Sequence, residues 1–216
     1  MRLSFKSKIA SFTLGILFTL FFISAGLILA INLRGLYYQD IKSLNIEETS
    51  GYSEAEIREN YDSLIDYCSP FYKKSLKFPT LAASEQGIQH FAEVKTIFVA
   101  FYYIFGITSE LILALLLLQK KGNIYLSFKV SALTTVIVPI IVGLAVSIDF
   151  DRAFVIFHKI FFRNDYWLFD PETDPVITIL PSEFFLHCAL VIIGVVILGA
   201  IIQYVIYRCT TKKKTL

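Results

Sequence analysis

The chain has 216 residues, of which 56% are hydrophobic and 18% are charged, and its formal net charge is only +2. Aromatic residues are abundant, with 20 phenylalanines and 12 tyrosines. This composition excludes an ordinary soluble domain, because such domains carry about 25% charged residues and fewer apolar ones. We therefore expect the lipid bilayer to be the main solvent of the fold.

Four long apolar runs carry the hydrophobic excess, and each approaches the roughly 20 residues that a spanning helix needs. They cover residues 9–33, 96–118, 130–148 and 184–207. The first run exceeds the apolar region of a cleaved signal peptide, so we interpret it as an uncleaved anchor. The sequence predicts an all-α integral membrane protein with four transmembrane helices in a single membrane domain, 1–216.

Basic residues in the short segments that flank these runs predict the orientation, because such residues stay on the cytoplasmic side. The residues concerned are Arg2, Lys6, Lys8, Lys120, Lys121, Lys129, Arg208, Lys212, Lys213 and Lys214. Every acidic residue except Glu110 falls between the first and second runs or between the third and fourth. Both termini are therefore predicted to be cytoplasmic, and 34–95 and 149–183 to be outer loops.

The first outer loop contains the pattern of an amphipathic helix. Ser53 followed by Glu56 resembles a capping box, and Ile57, Tyr61 and Leu64 have helical spacing. This helix is expected either to cap the transmembrane bundle or to lie at the lipid headgroups. With the second outer loop, it would form an extracytoplasmic cap of interfacial helices and loops.

The second outer loop is aromatic over 151–169 but too charged to cross the membrane, so we expect it at the interface. A helix there would place His158 beside Phe154, Phe161 and Phe162, with its imidazole facing hydrocarbon. His90 lies just before the second apolar run, at a similar predicted depth.

Two histidines at one depth suggest acid–base chemistry, because imidazole exchanges protons near neutral pH. The alternative is that His90 and His158 are amphipathic anchors of their helices. For His187, one turn into the fourth run, a hydrogen bond to a neighbouring helix is a sufficient explanation. The residues that follow His158 offer donors for an oxyanion or a lipid headgroup, and equally form an aromatic belt. They are Arg163, Asn164, Tyr166 and Trp167.

The sequence shows no metal-ligand spacing, no cofactor motif and no motif of an activated nucleophile. Nucleic acid is not an expected partner for an outer loop. Cys68 and Cys188 could pair outside the cell, and the sequence leaves this open. The remaining interpretations are an acid–base site at the outer leaflet and a structural membrane protein.

Two motifs resemble those of a known family. The segment from Phe157 to Phe185, FHKIFFRNDYWLFDPETDPVITILPSEFF, resembles the signature of the bacterial lipoprotein intramolecular transacylases. A shorter block of that family, a histidine followed by an acidic residue and valine, is similar to His90, Glu93 and Val94, where Asp is usual in place of Glu93.

The resemblance implies an enzyme of the Gram-positive cell membrane whose partners are diacylglyceryl-modified lipoproteins in the outer leaflet and membrane lipids. Such an enzyme moves the sn-2 acyl chain to the α-amino group of the modified cysteine and leaves an N-acyl, S-monoacylglyceryl (lyso) lipoprotein. The resemblance also implies that His90 and His158 are catalytic, and no cofactor is expected.

The chemistry fits these residue types. An α-amine with a pKa of about 7.7–8.0 must lose a proton as it attacks an ester, and a histidine can accept it. Because nucleophile and ester are parts of one molecule, no acyl-enzyme is required. We expect His158 to be the main base and His90 to be its partner. Candidate donors to the oxyanion or to the lipid headgroup are Asn164, Trp167 and Arg163. Tyr166 and Glu93 complete the expected substrate-binding set.

Two alternatives remain open at this point. One is an acyl hydrolase of lipids or lipoproteins with an unrecognised nucleophile. The other is a non-catalytic membrane protein whose histidines only anchor helices.

Overall fold

The computed structural model describes residues 5–118 and 121–212, and these residues contain no strand. The helices are α1 (Phe5–Asn32), α2 (Arg34–Ser43), α3 (Ile46–Ser50), α4 (Glu54–Cys68), α5 (Glu85–Leu118), α6 (Lys121–Ile148), α7 (Phe150–Phe161), α8 (Val176–Ile179) and α9 (Ser182–Lys212). The all-α prediction is confirmed for this part of the chain. Arg2, Lys120, Lys213 and Lys214, on which the orientation partly depends, lie outside the described residues.

Three of the described helices are long and apolar enough to cross a membrane. The candidate spans are Lys8–Asn32 in α1, Glu85–Leu118 in α5 and Ser182–Cys209 in α9. Helix α6 contains a shorter apolar stretch, Ser127–Ile141. A fourth transmembrane helix therefore stays a prediction.

The chain divides into two compact units. The first comprises Met1–Leu27, Tyr102–Ile148 and Leu190–Leu216, and the second comprises Ile28–Phe101 and Asp149–Ala189. All the residues predicted to form the site belong to the second unit. That the chain is one membrane domain stays a prediction.

In the first unit, polar side chains connect apolar helices. The Ser11 and Ser127 hydroxyls lie 2.8 Å apart, which joins α1 to α6. The Thr135 hydroxyl accepts hydrogen bonds from Thr19 at 3.4 Å and from the Gln203 amide at 3.3 Å. Between apolar helices, such bonds supply specificity that hydrophobic contact alone does not.

The second unit is built around a buried aromatic cluster. The rings of Tyr37 and Tyr61 stack with centroids 3.7 Å apart, and Phe184 meets both edge-on. The Tyr37 hydroxyl donates to the Ile179 carbonyl at 2.5 Å, so the buried phenol is satisfied. These contacts tie α2, α4, α8 and the start of α9 together.

The predicted amphipathic helix of the first loop is confirmed as α4. The Ser53 hydroxyl accepts the Glu56 N–H at 3.4 Å, and Ile57, Tyr61 and Leu64 are buried on one face. A serine at this position satisfies one of the backbone donors that a helix start leaves without a partner.

His187 makes the interhelical hydrogen bond that the sequence suggested. Its Nδ1–H donates to the buried carboxylate of Asp40 on α2 at 2.8 Å, and the Ser43 hydroxyl donates to the same carboxylate at 3.1 Å. Cys68 and Cys188 are free thiols, so no disulfide joins them.

Candidate active site

Helix α5 begins at a capped terminus, which determines where His90 lies. Ser84 is the residue before the helix, and its hydroxyl accepts the Gly87 N–H at 2.9 Å. The Ser84 N–H in turn donates to the buried carboxylate of Asp174 at 2.8 Å. Because an acidic group is favoured at a helix N-terminus, this contact stabilises the first turn. His90 follows in the second turn.

Helix α7 positions His158. Asp149 caps the helix by accepting the Arg152 N–H at 2.9 Å, and the helix ends at Phe161. Within the helix, His158 Nδ1 lies 2.8 Å from the Phe154 carbonyl oxygen, one turn earlier. A carbonyl only accepts hydrogen bonds, so Nδ1 carries the proton and Nε2 keeps its lone pair.

The two predicted histidines meet in the second unit although they are 68 residues apart in the chain. Their ring centroids are 6.0 Å apart, and both side chains are buried. Phe162 lies against both rings, at 4.7 Å from His90 and 5.5 Å from His158. Phe169 is 5.4 Å from His90, and Trp167 stacks on His158 at 4.7 Å. The imidazoles are therefore enclosed by aromatic rings.

This enclosure keeps His158 neutral. Burial lowers its pKa below the ordinary value of 6.5, because desolvation penalises the imidazolium, and the hydrogen bond to Phe154 offsets only part of that effect. A neutral imidazole with a free Nε2 lone pair is suited to accept a proton near pH 7.

Two buried polar atoms within the aromatic enclosure have no hydrogen-bond partner among the described residues. They are His90 Nδ1 and Trp167 Nε1. Buried polar groups are nearly always satisfied, so such atoms indicate a place where a ligand can bond.

A surface pocket of about 350 Å³ adjoins the aromatic enclosure through Phe162. It is lined by Glu93, Thr96, Ile97, Phe161, Phe162, Arg163 and Asn164. The Asn164 amide donates to both Glu93 oxygens, at 3.0 and 3.2 Å, and its own oxygen accepts the Tyr166 N–H at 3.1 Å. Arg163 is exposed. All five predicted substrate-binding residues lie on the short segment after α7 or on the facing turn of α5, and three of them, Glu93, Arg163 and Asn164, line the pocket.

Of the three predicted neighbours of His158, Phe161 does not pack against the imidazole. Phe154 and Phe162 contact the imidazole, at 4.1 and 5.5 Å, but Phe161 is half exposed and contacts Phe157 instead. Phe157, the residue before His158, lies 5.4 Å from the imidazole. Phe161 is the last residue of α7, and its ring pairs with Phe157, four positions earlier on the same helix, instead of with His158.

The family model of lipoprotein intramolecular transacylase Lit matches residues 12–185. The chain belongs to the Lit family. The crystal structure of membrane-integral Lit from Bacillus cereus is 35% identical, with a TM-score of 0.93 over 97% of this chain and 98% of that one. A search of curated proteins finds no match.

Two variants of Bacillus cereus Lit, in which one histidine is replaced by arginine or by alanine, give TM-scores of 0.87 and 0.88 at the same identity. Both alignments cover 97% of this chain, and they cover 94% of the arginine variant and 96% of the alanine variant. The family is membrane-integral and is named for transacylation of lipoproteins, which matches the candidate spans and the sequence resemblance. Among the described residues, no three His, Cys, Asp or Glu side chains are grouped as a metal site.

Sequence reasoning did not find the Glu93–Asn164 hydrogen bonds or the Asp174 anchor of α5. The spacing of three between His90 and Glu93 places both on one helix face, but it does not indicate the first of these contacts. No local pattern indicates the second.

Proposed function

We propose that this chain transfers the sn-2 acyl chain of an S-diacylglyceryl cysteine to the α-amino group of the same cysteine. The product is an N-acyl, S-monoacylglyceryl lipoprotein. The observation that carries the proposal is the pair of buried imidazole rings 6.0 Å apart inside an aromatic enclosure, in a chain of the Lit family.

His158 is the base in this proposal. Its Nδ1–H is committed to the Phe154 carbonyl, so Nε2 accepts the proton that the amine loses as it attacks the ester carbonyl. The C–N bond forms, the ester C–O bond breaks, and the glyceryl oxygen takes a proton back from His158 or His90. The mass of the lipoprotein is unchanged because every atom is retained.

The enclosure supports this chemistry in a second way. Holding amine and ester close together supplies much of the rate of an intramolecular reaction, and excluding water suppresses hydrolysis of the ester. The unpaired Trp167 Nε1–H is the best-placed candidate donor for the tetrahedral oxyanion, because it stacks beside the base. Arg163, exposed at the pocket, is a candidate for the lipid headgroup, and Asn164 and Tyr166 shape that pocket.

We further propose a topology of four transmembrane helices, with α6 as the third. Both termini are then cytoplasmic, and the outer loops 34–95 and 149–183 form the extracytoplasmic cap. Such a cap would hold both histidines at headgroup depth in the outer leaflet, where the ester of an anchored lipid lies.

Mass spectrometry of a purified lipopeptide tests the proposal. We expect the wild type to shift one acyl chain to the amine with no change in total mass, as fragment ions will show, and His158→Ala to shift none. His187→Gln is the matched control, since it replaces a histidine of the second unit that hydrogen-bonds Asp40 and lies outside the pair. Loss of a fatty acid from the lipopeptide, or full activity of His158→Ala, would overturn the proposal.

A further inference from the structure

The pocket beside the histidine pair contains one carboxylate that only neutral groups contact. Glu93 accepts two hydrogen bonds from the Asn164 amide and one from the Gln89 amide at 3.4 Å. No Lys, Arg or His of the described chain lies within ion-pair distance of it.

The surroundings of this carboxylate are partly apolar. Glu93 is half-buried, and Ile97, Phe161 and Phe162 line the same pocket. Removing a carboxylate from water costs free energy unless an opposite charge compensates it. Two amides occupy only part of the four acceptor positions of a carboxylate, so room remains for a cationic donor.

The orientation of Asn164 is itself fixed. Its side-chain oxygen accepts the Tyr166 N–H at 3.1 Å, which leaves the NH2 group to face Glu93. The carboxylate is therefore held in place before any ligand arrives, and a ligand that binds it loses less entropy.

The location points to one part of the substrate. Glu93 lies three residues after His90 on α5, on the same helix face. Phe162 both lines the pocket and lies 4.7 Å from the His90 ring. The pocket that holds Glu93 therefore shares the Phe162 ring with the enclosure of the imidazoles.

We propose that Glu93, held by Asn164, is the subsite that binds the α-ammonium group of the substrate before transfer. This inference rests on the proposed function and names the group by which the site recognises its substrate. A primary ammonium supplies the positive charge that the two amides lack, and one of its N–H donors can bond the acceptor position that they leave open. The acylated product has lost that charge, so the same subsite favours its release.

Binding of two non-reactive lipopeptides tests the subsite. Both are S-diacylglyceryl cysteine peptides with an sn-2 ether in place of the ester, so no acyl chain can move. One has a free α-amine and the other an N-acetyl group. At pH 6.5, where the amine is protonated, we expect Glu93→Gln to weaken binding of the free-amine peptide about tenfold and to leave the N-acetyl peptide unchanged.

Two further variants make the result specific. Glu59→Gln removes an exposed carboxylate from α4 and should change neither affinity. Glu93→Asp keeps the charge and should retain a preference for the free amine. An equal loss for both peptides in Glu93→Gln, or no loss for the free-amine peptide, would overturn the inference. Because no transfer occurs in this assay, its result is independent of whether the ester-linked parent peptide is transacylated.

Discussion

The contact between Gly87 and Asp174 can be isolated by a double-mutant cycle. A Cβ added at Gly87 would collide with the Asp174 carboxylate. This Cβ would lie 3.0 Å from Asp174 Cγ and 3.2 Å from Phe169 Cε1. Asp174 is buried and bonds the Ser84 N–H, so it has little freedom to move aside. This glycine is therefore required by close approach and not by backbone conformation.

The magnitudes follow from these contacts. Gly87→Ala overpacks the site, at a cost of about 1–3 kcal/mol, and alanine recovers about 1 kcal/mol of helix propensity. Asp174→Ala removes a hydrogen bond to a charged group, at a cost of about 2 kcal/mol. In the double variant the collision with the carboxylate is gone and the 3.2 Å contact with Phe169 Cε1 remains, which offsets the gain in helix propensity, so Gly87→Ala becomes close to neutral. We expect a coupling energy of about 1–2 kcal/mol.

The assay is unfolding of the purified protein in mixed detergent micelles, with the four free energies measured under one condition. Gly106→Ala is the matched control on the same helix, because a Cβ at Gly106 meets nothing within 4 Å. Additive effects of Gly87→Ala and Asp174→Ala, to within about 0.5 kcal/mol, would refute the reasoning.

Three other predictions concern the second unit. His187→Ala leaves the buried Asp40 carboxylate without its nitrogen donor, so we expect a loss of about 1–3 kcal/mol in the free energy of unfolding; equal stability would contradict the role of this pair. Trp167→Phe keeps a ring against His158 but removes the N–H, and should lower kcat about 10-fold to 100-fold with little change in KM; an unchanged kcat would exclude Trp167 as an oxyanion donor. Because burial lowers the pKa of His158, this base protonates at a lower pH than an ordinary imidazole, and just below pH 6.5 the logarithm of the rate should keep a slope of about one, from deprotonation of the amine alone. A slope that approaches two about one pH unit below 6.5 would mean that His158 has the pKa of an ordinary imidazole.

Much of the local structure could be predicted from the sequence. The apolar runs lie in helices α1, α5, α6 and α9, and Ser53 with the spacing of Ile57 and Tyr61 predicted α4. These features depend on neighbours within one or two turns, which the sequence contains directly.

The contacts of the site could be predicted only in part. His90 and His158 were selected by residue type and expected depth, but their 6.0 Å separation depends on how α5 and α7 pack. The Glu93–Asn164 bonds join positions 71 residues apart, and the contact of Phe161 with Phe157 rather than with His158 depends on how the side chains of α7 pack. No periodic pattern encodes either of them.

A crossover experiment tests most directly whether the acyl transfer is intramolecular. Two lipopeptides of different peptide mass, one with deuterated acyl chains and one with unlabelled chains, are mixed with the wild-type protein and analysed by mass spectrometry. We predict that each N-acylated product retains the chains of its own parent and that no mixed species forms. Products that carry a chain from the other lipopeptide would contradict an intramolecular transfer and would require an acyl-enzyme or a transfer between substrates.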